Sequence, residues 1–273
     1  ISSEGPRQRR FDDEPVWRHR WLFKWFHPQG DRLQLTRRRR HDLDRFPSCD
    51  FTRKIGWWRT VTTWRNWAGN QVARNLVSSG VVATVEDVVE VVKRARVAGK
   101  RVKVVGSGHS FSGIARPEEV VVSLENLTGI VSVDRERSTV TVRAGTTIAD
   151  LNVELHHLGL AMPNLGDVTY QSIVGALSTS THGTGIRLGG LATQLVAFTL
   201  VTSDGEVIEC SATSHEELWR FGRVSLGAFG IIVDVTLRVV DQFLLHAVEQ
   251  AEPVDEVLAN WERSTQENDH FEF

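Results

Sequence analysis

The sequence predicts a mixed fold of short strands and short amphipathic helices, and three observations lead there. Apolar runs rich in valine and isoleucine recur through the last two-thirds of the chain, at Val102–Val105, Val120–Leu124, Gly129–Val133, Thr139–Ala144, Leu195–Thr202 and Ile231–Val240. Between them, residues 84–95 and 147–158 space their apolar residues at helical intervals. The first apolar run, finally, ends directly in Gly106-Ser107-Gly108-His109-Ser110, which marks a strand that delivers a tight loop. A chain of 273 residues can bury a substantial core as one large domain or two smaller ones.

The chain divides by charge before it divides by structure. Residues 1–70 carry 16 Lys+Arg against 8 Asp+Glu, whereas the remainder carries 16 against 26, and the formal net charge is −2. Seven of the nine tryptophans also fall within the first 67 residues. Residues 1–56 combine Arg7–Arg10, the aromatic stretch Trp17–Phe26 and Arg37–Arg40 with little strand or helix periodicity. Arginine interleaved with aromatic rings can grip nucleic acid or an anionic surface, but a loosely packed extension accounts better for the missing periodicity, and no nucleic-acid partner is expected. From Trp57 the character changes, and Trp64-Arg65-Asn66-Trp67-Ala68-Gly69-Asn70-Gln71 reads as an ordered lead-in to an edge strand or extended arm over Val72–Val82.

Each later element has a local reason. Thr84 is a fitting N-cap for the helix that follows, with Glu86 and Asp87 in its first turn, Lys93 and Arg94 near its end, and Gly99 as its stop. Ile148, Leu151, Leu155 and Leu158 form the apolar stripe of the second helix, which Gly159 ends. Ser203-Asp204-Gly205 between two strand runs is a hairpin signal. A short helix is expected from His215, another over Pro253–Trp261, and a strand beginning at Phe271–Phe273. Cys49 and Cys210 are too far apart in sequence to suggest a disulfide framework, and no run is long and apolar enough to cross a bilayer. A cytoplasmic protein is therefore expected, with membrane association left open.

Two stretches carry chemistry. Glycines at 106 and 108 allow close backbone approach, so the amides of Gly106 to Ser110 form a candidate anion cradle, with His109 at its lip. The second stretch runs from Met162-Pro163-Asn164-Leu165-Gly166-Asp167 into Val174–Gly185, where small and hydroxyl residues make a poor core but a good lining for a flat ligand. Other readings fail on spacing. Phe111 stands where a dinucleotide fingerprint needs its third glycine, Gly-Lys-Ser/Thr and G-x-S-x-G are absent, and the histidines show no metal-binding pattern.

Five segments then occur in one order: Trp64–Asn70, Val104-Val105-Gly106-Ser107-Gly108-His109-Ser110-Phe111, Pro163–Asp167, Ser178-Thr179-Ser180-Thr181-His182-Gly183-Thr184-Gly185 and Ser225–Ile231. In this order they resemble the FAD-binding domain of the sugar-1,4-lactone and alditol oxidases, within the vanillyl-alcohol-oxidase (PCMH-type) flavoprotein superfamily. The resemblance covers roughly residues 57–273. It implies an α+β fold of two α+β subdomains with FAD between them, over residues 57–242, followed at 243–273 by the start of a substrate-capping domain. It also implies cofactor contacts from Val105, Gly106, Ser107, Gly108, His109 and Ser110, from Asn164, Gly166 and Asp167, and from Ser172, Gly175, Ser178, Thr179, Thr181, His182, Gly183 and Gly185. Gly230, Ile231, Ile232 and Val233 are expected near the adenine. In many members the histidine of Gly-x-Gly-His-Ser carries the flavin covalently, which makes His109 the expected 8α-histidyl anchor. No metal is implied. The implied reaction is hydride transfer from a carbinol carbon of a sugar lactone or alditol to flavin N5, with electrons passing to O2 or another acceptor. A non-catalytic FAD-binding module is the alternative. The capping domain and the His-Trp-x-Lys segment that family members use near the flavin lie outside this sequence, so no catalytic base is assigned and it is expected there.

Overall fold

A computed structural model describes residues 59–273, and the basic stretches, the Trp17–Phe26 cluster and Trp57-Trp58 lie outside the described residues. The described chain alternates short elements: β1 (Arg59–Arg65), β2 (Val72–Ser78), α1 (Val85–Val97), β3 (Val102–Val105), β4 (Val120–Ser123), β5 (Ile130–Asp134), β6 (Thr139–Arg143) and α2 (Ile148–His157). It continues through β7 (Leu160–Ala161), α3 (Ile173–Ser178), β8 (Leu195–Val201), β9 (Val207–Ser211), α4 (Glu216–Gly222), β10 (Ile231–Arg238), β11 (Val240–Asp241), α5 (Val254–Ala259) and α6 (Trp261–Glu267). The α+β expectation holds.

Two sheets dominate. The first has four strands in the order β1-β2-β4-β3, with β1 antiparallel to β2, and with β4 parallel to both β2 and β3. Parallel neighbours need a crossover connection, and between β3 and β4 that connection is the glycine-rich loop itself. The loop therefore leaves the carboxyl end of a parallel strand, where open sheets place their ligands. The second sheet has the order β5-β6-β10-β8-β9 and is antiparallel throughout, with β8 and β9 joined by the Ser203–Gly205 turn, in which Gly205 has φ +80°.

Strand alternation explains the packing. In β4, Val120 and Val122 face α1, joining Val88, Val91 and Val92 in a core that also takes Val201, Ile231 and Val233 from the second sheet. Val121 faces the other way, against Trp64, Ala73, Leu76 and Val105. The largest core lies under the second sheet, where α2 contributes Ile148, Leu151 and Leu155 and α3 contributes Ile173, Ala176 and Leu177. Helix α1 starts with a reciprocal cap, Thr84 Oγ1 accepting from Asp87 N–H while the Asp87 carboxylate accepts from Thr84 N–H, at 3.1 and 3.0 Å.

Three expectations change. Val72–Ser78 is a strand, but β1 covers it and it lies inside the sheet rather than at its edge. The small-residue stretch is not lining throughout, because Ile173, Ala176 and Leu177 are buried on one face of α3. Alanine and glycine shorten that helix's reach and let it pack closely. Phe271–Phe273 forms no strand, and Phe271 and Phe273 instead meet Trp261 edge to face at 5.7 and 5.6 Å. Among the described residues no helix is long and apolar enough to cross a membrane, and no cluster of three metal-binding side chains occurs.

Candidate functional site

The loop after β3 is held open by the turn between β1 and β2. Trp67 N–H donates to Gly108 O at 2.8 Å, Asn66 Nδ2 donates to Ser110 O at 2.9 Å, and Asn70 Nδ2 and Gln71 Nε2 both donate to Phe111 O at 2.9 and 3.3 Å. Among the described residues, none of the backbone amides of Ser107 to Ser112 donates to a protein acceptor. A loop with three of its carbonyls tied back and its amides free is a ready anion site. Gly108 has φ +69°, a conformation closed to most side chains, and it lies 3.4 Å from Asn66 Cα measured from where a Cβ would stand.

The loop's other side abuts the entrance of α3. Ser107 Oγ donates to Tyr170 O at 2.7 Å, and a Cβ on Gly106 would sit 2.5 Å from Ser172 Oγ. Ser172, almost fully buried, is the N-cap of α3, and the same hydroxyl lies 2.7 Å from the Cβ position of Gly175. Thr179 Oγ1 donates back to Gly175 O at 3.0 Å, and Ser178 ends α3 half-buried.

Beyond α3 the second glycine loop closes on Asn164–Gly166. A Cβ on Gly183 would stand 2.0 Å from Leu165 O and 2.7 Å from Asn164 Oδ1, and one on Gly166 would stand 2.9 Å from Thr181 Cγ2. Buried Asn164 is committed inside the protein, its Nδ2 donating to Thr184 O and Gly189 O at 3.3 and 3.2 Å and its Oδ1 accepting from Leu165 N–H. Asp167 and His182 are exposed, and His182 Nδ1 lies 2.9 Å from Gly183 O. Gly185, at φ +103°, runs against the C-terminal segment, 2.5 Å from Asp269 O at its Cβ position, and Thr184 Oγ1 meets His270 Nδ1 at 3.2 Å.

The structure thus ties Val105–Ser110 to Ser172 and Gly175, and Asn164–Gly166 to Thr181–Gly185, with α3 running between the two sets. Gly230 to Val233 join through packing alone. Ile231, Ile232 and Val233 turn their side chains into the cores, against which Val174 of α3 also packs, and Gly230 adopts φ +143° with its Cβ position 2.5 Å from Val201 O. Only their backbone is left to face a ligand. Sequence reasoning missed the contributions of Asn66, Tyr170 and His270. Nothing marks Tyr170, which acts through its carbonyl, whereas the amide-rich Asn66–Gln71 turn could have suggested a clamp.

His109 is the chemically distinctive residue of the site. Its imidazole stacks on Trp67, with ring centroids 5.3 Å apart and planes within 18°, and Phe111 meets the same indole edge to face at 6.1 Å. Its Nε2 is buried without a hydrogen-bond partner, and burial lowers the pKa of the ring below its ordinary value. Burial thus favours the neutral imidazole of His109, in which one ring nitrogen keeps a free lone pair.

These features fit a dinucleotide cofactor: an amide-lined cradle, glycines where a Cβ would collide, and an orphaned histidine nitrogen beside them. The fold and loops define the class of PCMH-type FAD-binding domains. Comparison with known proteins agrees: the FAD binding domain family matches residues 81–211 and the D-arabinono-1,4-lactone oxidase family matches residues 235–273. L-gulonolactone oxidase from Scyliorhinus torazame is 40% identical over 190 residues, covering 70% of this chain and 43% of that protein. L-gulono-1,4-lactone dehydrogenase from Mycobacterium tuberculosis is 38% identical over 212 residues, covering 77% and 48% respectively. The solved structure of BBE-like 1 from Physcomitrella patens shares the fold at a TM-score of 0.55 and 24% identity, covering 61% of this chain and 36% of that one. Along these stretches the chain is similar to the FAD-binding domain family and to sugar-1,4-lactone oxidases and dehydrogenases. It spans less than half the length of the two curated relatives described.

Proposed function

We propose that the protein oxidises a carbinol of a sugar-1,4-lactone, of the gulono-, galactono- or arabinono- type, using FAD. The observation that carries this reading is the loop after β3, where the carbonyls of Gly108, Ser110 and Phe111 are tied to the Asn66–Gln71 turn while the amides of Ser107 to Ser112 have no protein acceptor among the described residues. In this reading those amides take the pyrophosphate. Gly166, Gly175, Gly183 and Gly185 let the backbone approach the ring system and the adenosine, with Ser178, Thr179, Thr181 and His182 beside them. Bound FAD supplies the hydride acceptor that oxidation of a carbinol requires. Two-electron transfer then ends at O2 or another acceptor.

His109 is the residue proposed to anchor the cofactor covalently. Covalent attachment requires a nucleophilic nitrogen, and a protonated imidazolium has none. Burial favours the neutral form of this imidazole and the Trp67 face restrains its plane, so both features favour the role. Asn164 would then act by shaping the second loop rather than by touching the cofactor.

The test is direct. The protein loaded with FAD should lose its visible flavin absorbance when L-gulono-, L-galactono- or D-arabinono-1,4-lactone is added anaerobically, and regain it when O2 or an artificial acceptor is admitted. Bound flavin that no lactone bleaches would overturn the enzymatic reading. Bleaching by alditols alone would move the substrate class.

A further inference from the structure

We propose that the turn Asn66–Gln71, and Asn66 above all, positions the cofactor's pyrophosphate without touching it. The turn lies upstream of the residues 81–211 that match the FAD binding domain family, yet it makes four hydrogen bonds to that domain's glycine loop. Because a trans peptide unit is planar, fixing a carbonyl fixes the next residue's N–H in the opposite direction. Tying the carbonyls of Gly108, Ser110 and Phe111 to one side therefore aims the amides of His109, Phe111 and Ser112 to the other. None of those three amides has a protein acceptor among the described residues. They are directed at an anion in advance, and a preset cradle does not have to reorganise when the phosphates arrive.

Asn66 is the centre of the device. It is almost fully buried, and each side-chain atom is committed: Oδ1 accepts from Gln71 N–H at 2.9 Å, and Nδ2 donates to Asn70 Oδ1 at 2.7 Å and to Ser110 O at 2.9 Å. The first bond shapes the turn, the second aligns Asn70 for Phe111, and the third reaches the loop. No other side chain of this size offers one acceptor and two donors in a single plane except glutamine, which is one carbon longer.

The inference rests on FAD occupying this loop, and the experiment separates the two. A His109→Ala parent holds FAD without a covalent bond, so a dissociation constant can be measured by titration. Adding Asn66→Ala should weaken FAD binding by about tenfold or more, the effect of one well-placed hydrogen bond. Hydrogen exchange gives the second readout. FAD should slow exchange at His109, Phe111 and Ser112 in wild-type protein and fail to do so in Asn66→Ala at saturating FAD. A variant that merely loosens the fold would instead speed exchange across both sheets. If Asn66→Ala does not fold, the solvent-facing pair Asn70→Ala/Gln71→Ala removes the bonds to Phe111 and must still weaken FAD binding. Unchanged affinity, or unchanged protection of the three amides, overturns the positioning role. Wild-type protein that binds no FAD overturns the cofactor reading and this role together, and that failure shows before any variant is made; where the His109→Ala parent alone fails to bind, the exchange comparison decides.

Discussion

At His109 the local environment has two measurable consequences. If it anchors the flavin, acid-denatured wild-type protein should stay yellow, and His109→Ala should release all of its flavin on the same treatment. Flavin lost from denatured wild type would remove the anchor assignment. The second consequence concerns protons. In the unfolded chain the imidazole binds a proton as pH falls through its ordinary value of 6.5, whereas burial holds the folded ring neutral to lower pH. The unfolded state therefore binds more protons in that window, and folding stability should fall as pH drops below 6.5. In flavin-free protein the urea midpoint of wild type should decline more steeply below that pH than that of His109→Ala. Parallel declines would show that the ring titrates alike in both states. The motif around His109 was plain in the sequence because it depends on residue types. The stack on Trp67 was not, because it needs the chain to bring residues 67 and 109 together.

Among the loops and helices, glycines separate into two kinds that the sequence does not distinguish. Gly99 ends α1 at φ +62° with no atom near its Cβ position, whereas Gly183 would place a Cβ 2.0 Å from Leu165 O. Gly99→Ala should thus cost about 1 kcal/mol of left-handed backbone strain and leave FAD binding intact. Gly183→Ala must push two backbone segments apart, and both the thermal midpoint and the flavin content should drop. Equal effects from the two substitutions would argue against a tight second loop. The helices at 85–97 and 148–157 were legible because caps and apolar stripes are local signals. Helix α3 was not: Gly175 and Ala176 between Ile173 and Leu177 make it read like lining, and only its burial against β8 and β10 residues makes it a helix of the core.

For the whole molecule, what the sequence withheld was pairing. The strands were visible as runs, but the order β1-β2-β4-β3 and the placement of β10 between β6 and β8 depend on long-range partners. The three core clusters draw on residues between Trp64 and Val239, with Val201, Ile231 and Val233 joining the second sheet to α1 and β4. A chain lacking residues 1–55 should accordingly unfold cooperatively and bind FAD as the full chain does. Loss of either property, read by circular dichroism and flavin titration, would assign the basic segment a part in the fold.

The hydrogen bonds that frame the cradle join residues far apart in the chain: Asn66 to Ser110 across 44 positions, Asn70 to Phe111 across 41 and Ser107 to Tyr170 across 63. No short segment can hold the cradle in shape alone, so under the proposed reading FAD has nothing to bind until both the first hairpin and the entrance of α3 have docked. Flavin loading is then a late event in biosynthesis and a reporter of completed folding. Binding to the finished structure alone also makes FAD supply a thermodynamic brake on unfolding, one that strengthens with the logarithm of free FAD concentration.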